Sequence, residues 1–287
     1  MTMSQHLQST TRFRALIKSI IIVIVSALSR RNIGRQVLDH FILATRNLES
    51  EILHGDNKYK FSTPNHLSSE RAKTFSTKEP ETLEWIDHFD EGAVVWDIGA
   101  NIGIYSIYAA MTRSSVVFAF EPSVLNLEWL ARNISANGLE QKISLIPIAL
   151  SDTSQMGTLT MSQEDWGGSM SSFGVDYTHD GSVIQSLMSY QVLGLSGDDV
   201  VRCLPILPPD YIKIDVDGTE HLVLAGMTNL LSTVKSILVE VNDVFELQRN
   251  NVTNILSEAG FQMHEKRRSA MFDGTDIATS YNQIWVK

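Results

Sequence analysis

Val94-Val95-Trp96-Asp97-Ile98-Gly99-Ala100-Asn101-Ile102-Gly103-Ile104-Tyr105-Ser106 runs from an apolar segment through a single acid into a turn punctuated by glycine. The apolar residues before Asp97 suit a buried parallel strand. Gly99 and Gly103 suit a tight strand-to-helix turn, and Ile104 onwards can start a helix. This is the first βα unit of a Rossmann-like sheet. Its spacing, D-x-G-x-N-x-G, departs from the dinucleotide fingerprint G-x-G-x-x-G, because an acid ends the strand and the glycine triplet is missing. A carboxylate at Asp97 would repel a pyrophosphate on the helix N-terminus, but it suits a ligand carrying an ammonium group. The helix amides can receive that ligand's carboxylate. The methionine end of S-adenosylmethionine has this chemistry.

Working outward, Val116-Val117-Phe118-Ala119-Phe120-Glu121-Pro122 is a second β-favouring run, ending in an acid 24 positions beyond Asp97. An acid at the end of the second strand can accept hydrogen bonds from both ribose hydroxyls, and Pro122 stops the strand there. Leu127, Leu130, Ala131 and Ile134 carry a helical period, closed by Asn137-Gly138. The third strand is expected over 143–150, with an irregularity at Pro147. Ser151-Asp152 follows it directly. That loop lies at the cofactor's far end, where a side-chain acceptor can bind an adenine amino group; an ordinary Asx turn is the competing reading.

Between residues 153 and 205 the alternation of strand and helix is lost. Residues 157–161 and 188–195 read as strands of an inserted hairpin or small sheet. The Gly- and Ser-rich stretch 166–174 reads either as a cover over the substrate or as a surface loop. Pro208 to His221 then forms a second dense constellation, a fourth strand running into a turn and helix. Asp215 and Asp217 share one side of an extended segment, so two carboxylates can converge beyond the strand end. Such clustering can raise a carboxylate's pKa and make a proton acceptor, whereas pairing with Lys213 would explain it too. The fifth strand, 237–242, carries Glu240 near its end. A helix over 252–259 and tail strands near 261–266 and 283–286 complete the pattern.

The chain has 287 residues, 43% of them hydrophobic, which is ample for a core. Its net charge of −10 hides an asymmetry, since residues 1–38 hold six Lys or Arg and no acid. The acidic body excludes a nucleic-acid binder. A lone cysteine, Cys203, rules out an internal disulfide framework and fits a reducing, cytoplasmic compartment. No Cys/His spacing suggests zinc, and a required metal is not expected. Residues 12–35 combine basic residues with an apolar run too short to span a bilayer. A basic helix with an apolar side can rest on an anionic membrane face, pack on the catalytic domain, or meet a partner subunit. Residues 54–78 are polar and lack a period, so they read as a linker or loose cover, and the structured body is expected from residue 79.

Taken in order, EPETLEWI (79–86), DIGANIG (97–103), FEP (120–122), ALSD (149–152), YIKIDVDGTEHLVLAGM (211–227) and LVEVN (238–242) resemble the FkbM family of S-adenosylmethionine-dependent methyltransferases. The resemblance covers about residues 79–287. The family pattern near the fourth strand is K-x-D-x-E-G, and this chain has Asp217 where Glu is common. The resemblance implies a seven-stranded, mostly parallel α/β sheet with helices on both faces and an antiparallel last strand. The small β insertion would then lie between strands three and four. It implies that Asp97, Gly99, Asn101 and Gly103 line the methionine end, Glu121 binds ribose, and Ser151 with Asp152 sits near adenine. O-methylation of a hydroxyl on a sugar, glycan or natural product is the implied reaction. Among proton acceptors at the carboxyl end of the sheet, Asp215 ranks first, also counted on the cofactor side. Glu240 comes next, then Lys213, Asp217, Glu220 and His221. Two other classes stay open: a cofactor-binding module at a membrane without catalysis, and a nicotinamide-dependent oxidoreductase on a similar sheet.

Overall fold

The computed structural model describes residues 3–275 and 277–287, with side chains described from residue 16 onward. The chain forms two compact units, Met1–Leu48 and Glu49–Lys287. The first is a helical hairpin, α1 (Met3–Ser29) and α2 (Asn32–Arg46). Gly34 lets the two helices close on each other. A Cβ there would stand 2.1 Å from the Leu28 carbonyl oxygen. Among the described residues, no helix is long and apolar enough to cross a membrane.

The second unit begins with an antiparallel hairpin, β1 (Glu49–His54) and β2 (Asn57–Ser62), followed by α3 (His66–Lys73) and α4 (Pro80–Asp87). This corrects the expectation of a linker over 54–78. Tyr59 and Phe61 are fully buried and Phe75 nearly so, in one core with Trp129 and Leu130. Asn133 and Asn137, some 70 residues further on, accept hydrogen bonds from the Ser62 and Lys60 amides, at 2.7 and 2.9 Å. The segment looked loose because its strands are short and half its pattern is polar; long-range packing, invisible to a period search, supplies its partners.

The main sheet then forms from β3 (Val94–Ile98), α5 (Ile104–Thr112), β4 (Val116–Phe120), α6 (Val124–Ala136) and β5 (Ile143–Ile146). Next come the insertion strands β6 (Ala149–Leu150), β7 (Gln155–Met161), β8 (Ser171–Phe173) and β9 (Met188–Leu195), then α7 (Gly197–Cys203). The chain returns through β10 (Tyr211–Ile214), α8 (Glu220–Ala225), β11 (Ser236–Asn242), α9 (Glu246–Glu258), β12 (Gln262–Arg267) and β13 (Ser280–Val286). The seven-stranded order is β12-β13-β11-β10-β3-β4-β5, with β13 antiparallel to both neighbours. The Rossmann-like class and its antiparallel last strand are as expected.

Alternation along the strands sorts the two cores. Val95, Val117 and Ala119 face the layer holding Ile107, Trp129 and Leu130, whereas Trp96, Ile98, Phe118 and Phe120 face Val223, Leu224 and Leu256. β3 pairs in parallel with both β4 and β10, so the chain reverses direction across the sheet at β3 and opens a crevice at the strands' carboxyl ends. At Pro147 the third strand divides. Ile143–Ile146 stays in the main sheet, while Ala149–Leu150 joins a second sheet of order β6-β9-β7-β8. The 166–174 stretch, read either as a cover or as a surface loop, contains a strand, β8, paired with β7.

Candidate active site

Backbone geometry at the β3–α5 turn explains its residue types. Gly99, Asn101 and Gly103 all have positive φ, at 80°, 52° and 86°. A Cβ on Gly99 would stand 1.9 Å from the Asp215 carbonyl oxygen, so β3 and β10 approach there only because the side chain is absent. The amides of Gly99 and Ala100 both donate to the Phe120 carbonyl, each at 3.0 Å, pinning the turn to the end of β4.

A cavity of about 380 Å³ opens over this turn. Gly99, Asn101, Glu121, Asp215, Asp217 and Glu240 line it, with Ile148, Ala149 and Leu150 forming an apolar wall. Asp97, Gly103, Ser151, Asp152 and His221 do not line it. Asp97 is buried beneath the turn, where its carboxylate accepts a 2.6 Å hydrogen bond from the Ser106 hydroxyl of α5. Burial pushes its pKa up, against the pull of Lys213. Gly103 serves packing, since a Cβ would meet Leu130 at 2.5 Å.

Each carboxylate has distinct work. Glu121 accepts from the Asn101 and Ser123 amides, both at 2.8 Å, and burial pushes it up to about 7. Asp217, itself at φ 55°, accepts from the Met170 amide at 2.7 Å and the Ser171 amide at 3.3 Å, so it ties the insertion to the sheet. Burial and the neighbouring Asp215 charge push it up to about 6. Glu220 accepts from the Val216 and Gly218 amides and from Gln248, which shapes the Asp215–Gly218 loop from below. Glu240 is driven well above the carboxylate range by burial and by the charges of Asp215 and Glu79.

Lys213 is the hub of this acidic group. Its side chain is 3% exposed, and its ammonium lies 3.0 Å from Asp215 Oδ2 and 5.0 Å from the Tyr105 ring centre. The opposing charges of Asp215, Glu79 and Asp97 outweigh burial and raise its pKa beyond the ordinary lysine range. Glu79, the residue just before α4, is held low, at about 2, chiefly by the Lys78 and Lys213 charges against its burial.

The histidine in the cavity is His179, not His221. His221 is buried outside the lining, edge-on to Phe245 at 6.2 Å, and burial lowers its pKa. His179 lines the cavity, is 8% exposed, and has no hydrogen-bond partner at either ring nitrogen. Two glycines bring its turn down onto the site. A Cβ on Gly218 would meet the Thr178 carbonyl at 2.7 Å and His179 Cα at 3.1 Å, and one on Gly181 would meet Phe245 at 2.8 Å. Asp180 stiffens the turn, accepting from Thr178 at 2.8 Å and from the Ser182 amide at 2.9 Å. The Asp180-Gly181 pair is a turn signal in the sequence, but nothing there brings the turn against Gly218.

The rest of the roof comes from the insertion and from α3. Asn101 Nδ2 and Asn126 Nδ2 both donate to the Gly168 carbonyl, at 2.8 and 3.1 Å, and Arg71 Nε donates to the Gly167 carbonyl at 2.8 Å. Leu67, Arg71 and Lys78 belong to the lining, so the segment read as a linker walls the cavity.

Comparison with known proteins places this geometry. The family model described as the methyltransferase FkbM domain matches residues 97–263. The hexuronic acid methyltransferase AglP of Haloferax volcanii is 31% identical over 175 residues, covering 61% of this chain and 65% of that protein. The 31-O-demethyl-FK506 methyltransferase FkbM of Streptomyces tacrolimicus is 26% identical over 216 residues, covering 65% of this chain and 78% of that protein. Among solved structures, methyltransferase FkbM from Methylobacillus flagellatus KT superposes with a TM-score of 0.48 at 16% identity, covering 77% of this chain and 52% of that one. The FkbM-domain match covers more than half of the chain, and the chain belongs to the FkbM methyltransferase family.

Proposed function

We propose that this chain transfers a methyl group from S-adenosylmethionine to a hydroxyl oxygen of a sugar, a glycan or a related natural product. The observation that carries this reading is the meeting, in one cavity, of a nucleoside cradle and an unpartnered histidine. Glu121 and the Gly99 turn form the cradle at the ends of β4 and β3, and His179 reaches the same space from the insertion. The cradle fits the cofactor. Glu121 is on the lining, fixed by the Asn101 and Ser123 amides, where its carboxylate can accept from ribose hydroxyls, and Ile148–Leu150 offer an apolar wall for a base. Asp215, paired with Lys213 and on the lining beside Gly99, offers a carboxylate oxygen as a hydrogen-bond acceptor for an ammonium. AglP acts on a hexuronic acid, and Arg71 in the lining would suit an acidic sugar.

S-adenosylmethionine, when bound, supplies an activated methyl group on sulfonium sulfur, so alignment and proton removal are what the protein must add. In this reading His179 accepts the proton of the acceptor hydroxyl as the oxygen–carbon bond forms. Asp215, neutralised by buried Lys213, orients rather than abstracts. Glu240 lies on the same lining.

The test uses the purified chain with methyl-labelled S-adenosylmethionine and a panel of uronic acids, neutral sugars, lipid-linked glycans and polyketides. Label should appear on an acceptor oxygen, and calorimetry should show one-to-one binding of S-adenosylhomocysteine. Absence of S-adenosylhomocysteine binding, or binding of a nicotinamide dinucleotide in its place, would refute the proposal.

A further inference from the structure

The methyltransferase unit accounts for residues 49–287, but not for the chemistry of the helical hairpin before it. Residues 1–48 hold seven Lys or Arg and one acid, Asp39, in a chain whose net charge is −10. Along α1, Leu16, Ile17 and every residue from Ile20 to Val25 are exposed, with Val23 at 67%. Six consecutive residues at 100° per residue pass completely round a helix, so the apolar surface covers its whole circumference. Between Leu16 and Leu28 the polar residues are Lys18, Ser19 and Ser26.

The second helix has a different surface. Ile33, Val37 and Phe41 recur at four-residue spacing and are exposed. Arg35 and Asp39 lie on the opposite side of the helix. One hairpin thus carries an all-round apolar rod and an amphipathic helix, joined by Arg30 and Arg31.

We propose that this hairpin docks on an anionic lipid bilayer, seated within one leaflet. A second copy of the chain would cover one stripe of α1, not its whole circumference, whereas acyl chains surround a helix on all sides. Charge complementarity selects the lipid. Arg12, Arg14 and Lys18 precede the apolar segment, and Arg30, Arg31 and Arg35 follow it, which suits phosphate headgroups at both ends. The segment from Leu16 to Leu28 is about 20 Å long, against a hydrocarbon core of about 30 Å. With cations at both ends reaching the phosphates of the same surface, it lies among the acyl chains of one leaflet, just below the headgroups, rather than across the membrane. α2 then rests beside it with Ile33, Val37 and Phe41 turned inward.

Flotation of the full chain with vesicles tests this directly. The chain should float with vesicles of phosphatidylcholine and phosphatidylglycerol and bind pure phosphatidylcholine far less. Arg30→Glu with Arg31→Glu should lower partition to the anionic vesicles at least tenfold, given roughly fivefold per basic residue near such a surface. Ile21→Asp with Ile24→Asp should abolish flotation, while circular dichroism shows the remainder of the chain folded. Hydrogen exchange on the unaltered chain provides a measurement that needs no variant. Anionic vesicles should protect residues 16–46 and leave the sheet amides unchanged. Equal binding to both vesicle types, or no protection of 16–46, would overturn the proposal. So would a dimer in sedimentation velocity that Ile21→Asp dissociates while vesicles capture no protein.

Discussion

Lys213 Nζ lies 3.0 Å from Asp215 Oδ2 at the carboxyl end of β10, with the lysine almost fully buried and the carboxylate partly open to the cavity. The pair converts a cluster of acids into a surface with one neutralised carboxylate facing the ligand space. Replacing Lys213 with Met would leave Asp97, Asp215 and Glu79 facing one another without their shared cation. Removal of one partner from a buried pair costs about 3–5 kcal/mol. Denaturant unfolding should register a loss of that order, and Lys213→Met with Asp215→Asn should recover part of it.

His179 is expected to carry the proton. His179→Gln should lower kcat by roughly 10²–10⁴-fold while S-adenosylhomocysteine binding, measured by calorimetry, stays within a factor of two or so. His221→Gln should leave kcat close to the original. An unchanged kcat in His179→Gln would return the role to Asp215.

Glu121 sets a pH dependence of cofactor affinity. Burial raises it to about 7, and ribose hydroxyls donate to its ionised form, so binding draws it toward the carboxylate. Affinity for S-adenosylhomocysteine should rise by about tenfold between pH 6 and 8, and Glu121→Gln should flatten the profile. The stability of the free protein runs the opposite way. Glu121, Glu220 and Asp217 all have raised values, about 7, 7 and 6, so the folded state holds protons that the unfolded chain releases. Their contribution is full below the ordinary carboxylate range and is lost as pH rises through 6 to 7. Tm should fall over that interval, and less steeply in Glu121→Gln.

Asp217 anchors the insertion through the Met170 and Ser171 amides. Asp217→Ala should speed hydrogen exchange in residues 168–173, consistent with losing about 1–3 kcal/mol of buried charge-assisted bonding. Asp217→Asn keeps an acceptor oxygen and should restore most of the protection.

Gly99 tolerates no side chain. Its φ of 80° and the 1.9 Å approach of a Cβ to the Asp215 carbonyl predict that Gly99→Ala destabilises the protein by roughly 2 kcal/mol or more. Cofactor binding should be lost with it. Gly92→Ala, at φ 74° with no atom near the new methyl group, should cost less in the same melt and leave binding intact.

The sequence by itself determined the sheet. Alternating apolar residues in β3, β4 and β10, strand-end acids and the Gly99–Gly103 turn are local signals, because period and turn chemistry are properties of a few adjacent residues. It also placed Glu121, Asp215, Asp217 and Glu240 at strand ends, and all four line the cavity. Only the tertiary structure decided which side chains face that space. Asp97 turned under α5 to Ser106, since its alternation puts it on the helix side of the strand. His221 was buried outside the lining, and His179 arrived 38 residues before Asp217 because Gly218 lets a distant turn approach. The polar 54–78 segment became structure and lining for the same reason. Burial of Tyr59, Phe61 and Phe75 depends on α6, and contacts between residues some 70 positions apart leave no periodic trace in either segment.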